Sequence, residues 1–212
     1  MNTKEENTLQ KQTSWANPTP AGLVALAVAC FIFYALLTGK VSRDAMPLMG
    51  CFFIGGFIIQ FVVSILDLKS GNLSGGNTFL FFSAYFMLVS GLEMFFKYYA
   101  AGMDTRIDGW AWLALMIVIW LWTPAFAKAP LILFITMLVL DVALPFIVMN
   151  DLKLFDSAQV TTIFSYISGY ALLICGLLGC YLGSAQILNG TFGKQILPNP
   201  GPLYKDKKNQ QE

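Results

Sequence analysis

Histidine is missing from this 212-residue chain, and charged residues make up only 12% of it. The first absence removes imidazole metal sites, histidine-based triads and histidine proton relays together. The second leaves too little charge to solvate a globule, since soluble domains carry about 25%. A net charge of +1 gives nucleic acid no basic surface to meet, so no nucleic-acid partner is expected. The four cysteines, Cys30, Cys51, Cys175 and Cys180, lie in apolar runs without CxxC or zinc-ligand spacing and read as small buried hydrophobes. The first 19 residues are polar, include Glu5 and Glu6, and hold no apolar stretch, so a secretory signal or transit peptide is not expected there. No metal and no cofactor is expected. What is abundant is apolar: 57% of residues are hydrophobic and mean hydropathy is +0.65. Lipid is the solvent that suits such a chain.

Six apolar runs follow one another: Ala21 to Thr38, Met46 to Leu66, Thr78 to Ala100, Trp110 to Ala127, Leu131 to Met149 and Ala158 to Leu188. Most are near the length at which a helix crosses about 30 Å of hydrocarbon. Backbone groups in lipid must be satisfied internally, which selects helices. A barrel would show alternating segments about half as long. The predicted organisation is an all-α membrane protein of six transmembrane helices, with an N-terminal tail 1–16, a channel domain 17–190 and a C-terminal tail 191–212. Six spans put both termini on one side. Of the Lys and Arg residues, eight lie on that side and five on the other, which predicts both termini in the cytoplasm of a multi-pass plasma or inner membrane protein. Gly169, Gly176 and Gly183 recur every seven residues in the sixth run, and Gly179 with Gly183 makes GxxxG; this predicts a close helix contact, within or between subunits.

Asn17-Pro18-Thr19-Pro20-Ala21-Gly22-Leu23 opens the first run. Two prolines keep the chain extended up to a helix start, where the missing N–H costs nothing. Asn17 there is either a turn residue or an amide offered at the membrane edge. Gly55-Gly56 and Gln60 follow in the second run. Asp67-x-Lys69-x-Gly71-Asn72 and Gly76-Asn77-Thr78-Phe79 link it to the third through a Gly- and Asn-rich loop, Ser70 to Gly76. The sixth run ends in Leu188-Asn189-Gly190-x-Phe192-Gly193 and, four residues on, Leu197-Pro198. In this order, from Asn17 to Pro198, these pieces resemble the acetate uptake transporter family of bacterial acetate–succinate permeases and their yeast and archaeal relatives.

That resemblance implies a urea-channel-like bundle, a homo-hexamer with one pore per protomer, and a small carboxylate substrate such as acetate or succinate. It also implies a constriction of two aromatics and a leucine. One aromatic corresponds to Tyr85, the other falls near Trp112, and the leucine to Leu138, with Leu140 as the alternative. Trp112 is equally well placed for an interfacial aromatic belt, and Trp15, Trp120 and Trp122 read as belt or packing. The loop before Asn77 is about three residues longer than in the bacterial permeases.

A carboxylate is an anion at pH 7, and an unsolvated one is costly in low dielectric. Neutral donors must therefore replace water, and Asn17, Thr19, Gln60, Asn77 and Thr78 are the candidates for substrate contact near the first three helices. Gln60 sits inside an apolar run and either faces the pore or bonds a neighbouring helix. Asp141 lies mid-span in the fifth run, four residues before Pro145; it is a candidate for proton coupling, or else an acid hydrogen-bonded to a neighbouring helix. Glu93 and Lys97 read as an ordinary i,i+4 pair. Lys205, Lys207 and Lys208 read as a solvated tail. An enzyme would need a nucleophile, an acid–base pair or a metal cluster, and the spans lack His and hold only Asp141 and Glu93 as acids, so no enzyme is expected. A channel for small neutral solutes such as urea or amides is the alternative within transport.

Overall fold

The computed structural model describes residues 15–100 and 102–204. The readings placed on Glu5, Glu6, Lys205, Lys207 and Lys208 lie outside them. Six helices are long and apolar enough to cross a membrane. They are α1 (Thr19–Leu37), α2 (Met46–Lys69), α3 (Leu73–Tyr99), α4 (Arg106–Trp122), α5 (Leu131–Asp151) and α6 (Ala158–Phe192). A 3-10 turn, Arg43–Ala45, leads into α2, and another, Thr123–Lys128, follows α4.

Several boundaries differ from the sequence reading. The fourth helix is Arg106–Trp122 rather than Trp110 to Ala127, since Thr123-Pro124 turns its end into a 3-10 segment. The Ser70 to Gly76 loop is mostly helix: α3 begins at Leu73, and the Asn72 side chain accepts the Gly75 N–H at 3.1 Å as its N-cap. Glycine fits there because a Cβ on Gly76 would sit 2.8 Å from the Leu68 backbone nitrogen. Inside α3, Phe82–Val89 winds as a π-helix, so its side chains rotate away from simple α spacing. The sixth helix continues to Phe192 and stops at Gly193, whose φ of 62° is the left-handed cap that glycine adopts freely.

The α6 glycines pack inside the protomer. A Cβ on Gly179 would lie 3.2 Å from the Leu23 carbonyl oxygen, and one on Gly183 would lie 3.3 Å from that of Pro20. Both partners are on α1, so the stripe lets two backbones approach closely. Across the bundle, α2 crosses α3 where Gly50 meets the Gly91 carbonyl. The interior between these crossings is filled largely by rings. Phe82 stands edge-on to Phe86 at 5.5 Å, Phe86 edge-on to Trp112 at 5.8 Å, and Phe33 lies against both Phe86 and Phe53. Of the cysteines, Cys30 and Cys175 are buried, but Cys51 and Cys180 are exposed on the outside of the bundle; the apolar run around each is lipid-compatible surface rather than core.

The described part of the C-terminal tail returns over the bundle. Asn189 accepts the N–H groups of Ile196 and Leu197 and donates to the Leu197 carbonyl. Tyr181 donates to the Pro198 carbonyl at 2.8 Å. Beyond that, the Leu131 N–H reaches Pro200 and the Tyr204 N–H reaches Ala127. The Leu-Asn-Gly and Leu-Pro pieces of the terminal motif are thus two halves of one fold-back that straps the α4–α5 connection.

Candidate functional site

A cavity of about 790 Å3 opens at the end of the bundle that carries the chain's first and last described residues. Its rim holds Asn17, Lys69, Asn72, Lys128 and Gln186, and deeper in are Leu26, Phe82, Phe126 and Met137. The rim is therefore polar and the floor apolar. The first turns of α1 and α3 and the last turn of α2 all face it, two positive helix ends against one negative, so the helix dipoles offset one another only in part.

Two distant motifs meet in the wall. The Thr19 hydroxyl donates to the Asp67 carboxylate, 3.2 Å from Oδ1 and 3.4 Å from Oδ2, across 48 residues of sequence. Asn72 Nδ2 adds a bond to Oδ2 at 3.2 Å. Asp67 is 1% exposed, and both of these partners are neutral. Asn17 fixes the approach to α1: its Oδ1 accepts the Thr19 N–H at 3.1 Å and its amide reaches Gln186 on α6 at 3.4 Å. Thr78, 6% exposed, lines the same cavity, and its hydroxyl has no hydrogen-bond partner among the described residues. Lys69 lies over the Trp15 ring and Lys128 over the Tyr204 ring at the rim.

Of the five donors expected to contact substrate, Asn17, Thr19 and Thr78 converge on this vestibule, and Gln60 and Asn77 do not line it. Gln60 is fully buried and donates to the Gly22 carbonyl at 3.3 Å, which ties α2 to α1. Asn77 donates to Leu73, one turn back in its own helix. None of the three constriction residues lines the vestibule. Tyr85 is 51% exposed on the outside of the bundle, within the π-helical segment of α3, and Leu138 lines an apolar groove between α5 and α6. Trp112 packs edge-on to Phe86 inside the bundle. Asp141 faces α4: its main-chain oxygen accepts from Trp120 Nε1, and its Oδ1 is buried with no hydrogen-bond partner among the described residues.

At the opposite end the Glu93–Lys97 pair is present at 3.1 Å, and it is larger than the i,i+4 spacing foretold. Lys97 Nζ also meets Asp108 of α4 at 2.6 Å, and Asp151 of α5 lies within the same field. Sequence spacing can show a pair on one helix but not a partner from the next. Asp67 and Asn72 were missed as site residues for a similar reason. They stood in a quoted motif, but only the Thr19 contact from α1 turns that motif into a wall.

The chain matches the model of the GPR1/FUN34/yaaH family over residues 2–200. It is a member of that family. The succinate-acetate/proton symporter SatP of Escherichia coli K12 is 25% identical over 191 residues, covering 88% of this chain and 96% of that one. An uncharacterized protein of Methanothermobacter thermautotrophicus is 25% identical over 189 residues, covering 86% and 90%. The solved structure of the bacterial acetate channel SatP shares the fold, with a TM-score of 0.76 at 20% identity, over 88% of this chain and 99% of that one. Family membership and six candidate spans make this a multi-pass membrane protein of a transporter family rather than an enzyme.

Proposed function

We propose that this family member conducts acetate and related small carboxylates, succinate among them, across the membrane, admitting them at the vestibule. The observation that carries this reading is the meeting of the Asn17–Leu23 opening and the Asp67–Asn72 loop in one cavity, whose wall sets neutral donors beside the Asp67 carboxylate, with the Thr78 hydroxyl, unpaired among the described residues, one of them. A carboxylate leaving water needs such donors, and Thr78 offers one that no group among the described residues uses. Lys69 and Lys128 at the rim lower the cost of an arriving anion. The barrier in this reading is the ring column Phe82, Phe86 and Trp112, which supports a role for Trp112 in the neck.

Residence in the plasma or inner membrane with both termini in the cytoplasm, a channel domain spanning 17–190 and assembly as a homo-hexamer complete the proposal. The hexamer is supported by resemblance, and by apolar outer faces such as Leu48, Phe52, Ile58 and Val62 of α2 that need lipid or another subunit as cover. A neutral solute such as urea is the second reading, favoured by one observation: Asp67 would repel an anion. Two unit charges about 4 Å apart repel by about 4 kcal/mol at an effective dielectric constant of ~20.

Labelled-acetate uptake into proteoliposomes, set against protein-free vesicles, tests the assignment. Protein-dependent, saturable uptake supports it, and unlabelled succinate should compete. Urea flux that acetate fails to inhibit, with no acetate uptake, would replace it by the neutral-solute reading. Phe82→Ala and Tyr85→Ala then locate the neck: the first is expected to raise flux several-fold, and an effect of Tyr85→Ala alone would move the neck to the outer face of α3.

A further inference from the structure

Asp67 poses a problem that the carboxylate reading must solve, and the following inference rests on that reading. Its carboxyl group is 1% exposed and lines the cavity that a second carboxyl group has to enter. Its hydrogen-bond partners among the described residues, Thr19 and Asn72, are neutral and reach it at 3.2 to 3.4 Å, which leaves lone pairs on both oxygens. Among the described residues of the vestibule the other charged groups are Lys69, drawn over Trp15, and Lys128, drawn over Tyr204; α1, α3 and α6 contribute only uncharged side chains, Asn17, Thr19, Asn72, Ser74, Thr78 and Gln186. Two carboxylates in one buried site cannot both stay ionised.

We propose that Asp67 is the proton-linked group of the vestibule: a small carboxylate binds beside it only with one proton shared between the two carboxyl groups. The proton comes from water, bridges one oxygen of Asp67 and one of the substrate in an O–H···O− hydrogen bond, and leaves with the substrate as the acid or returns to water. One proton is taken up per carboxylate bound, and no covalent bond changes. The remaining substrate oxygen is free to accept from the Thr78 hydroxyl. Asp67 thus makes uptake favour acid pH without a cation among its hydrogen-bond partners in the described residues, and it does so at the mouth of the bundle rather than at mid-membrane.

Proton counting on the full-length protein in nanodiscs tests this. Acetate added in weak buffer near pH 7 should remove about one proton from solution per acetate bound in the wild type and none in Asp67→Asn, whose neutral amide stands in for the protonated acid. In proteoliposomes, protein-dependent acetate flux should rise as pH falls from about 8 to about 5 in the wild type and stay flat in Asp67→Asn, with Asp67→Glu restoring the slope. Acetate binding without proton uptake in the wild type overturns the proposal, and this result stands even if the asparagine variant fails to fold. A wild-type pH profile in Asp67→Asn overturns it too, as does a folded Asp67→Asn protein without flux at any pH. Absence of protein-dependent acetate flux in the wild type instead removes the carboxylate reading itself.

Discussion

The two ends of the bundle handle buried charge in opposite ways. At the vestibule one carboxylate, Asp67, is held by two neutral donors beside open space. At the other end Lys97 is clasped between Glu93 and Asp108, with Asp151 close by, and these charges join α3, α4 and α5. A buried ion pair resists the loss of either partner, because the survivor is left uncompensated. A carboxylate on neutral donors can take a proton and remain hydrogen-bonded. One end is therefore built as a fastening and the other as a place where charge can change.

Lys97→Met breaks that contrast most severely. It leaves Glu93, Asp108 and Asp151 without their cation and, with Lys97 23% and Glu93 25% exposed, should cost about 2 to 3 kcal/mol, read as a lowered melting temperature in detergent. Melting unchanged from wild type would mean that the far end is no fastening. Thr19→Val comes next. Asp67 loses one of its two donors through long bonds, a cost of about 1 to 2 kcal/mol, and the acid dependence of acetate flux should begin at higher pH because the neutral acid suffers less from that loss. An unchanged pH profile would separate Thr19 from the function of Asp67. Asn189→Ala unpins the strap over the α4–α5 connection at about 1 kcal/mol, visible as faster proteolysis of the C-terminal segment; equal proteolysis would show that Tyr181 and the main-chain bonds suffice. Thr78→Val sharpens the comparison from the other side. Its hydroxyl has no partner to lose, so melting should stay within about 0.5 kcal/mol of wild type, while the acetate concentration for half-maximal flux rises several-fold. A fall in stability without a change in flux would make Thr78 structural. The smallest effect is expected at Asp104. Charge-assisted bonds from Arg106 hold its carboxyl below the usual carboxylate range, but both groups are exposed and screened by water, so Asp104→Ala should leave melting and flux unaltered.

Length and polarity made the spans legible, because a run near 20 apolar residues has few alternatives. The glycine repeat of α6 was legible as a contact, though not as a contact with α1. Of the vestibule, only the polar residues flanking apolar runs were legible. Asn17 and Thr19 at the start of α1 and Thr78 in the second turn of α3 line one cavity, and their role there is the proposal above. Gln60 carries the same signal, yet its amide ties α2 to α1, since a polar group inside a helix pairs with whichever backbone passes it. Tyr85 and Leu138 rested on the resemblance, because spacing along one chain does not say where a pore narrows. Within α3 the π-helix shifts the side-chain phase around Tyr85, and no residue pattern in Phe82–Val89 announces it. Asp67 and Asp108 needed partners from other helices, Thr19 and Lys97, and spacing along one chain does not encode such crossings.

The most direct test of the central claim is acetate counterflow: vesicles loaded with unlabelled acetate, diluted into a trace of labelled acetate at equal pH on both sides. The vestibule reading predicts a transient, protein-dependent accumulation of label that is weakened in Thr78→Val and competed by succinate. Label that only equilibrates, at the same rate with and without protein, would contradict it.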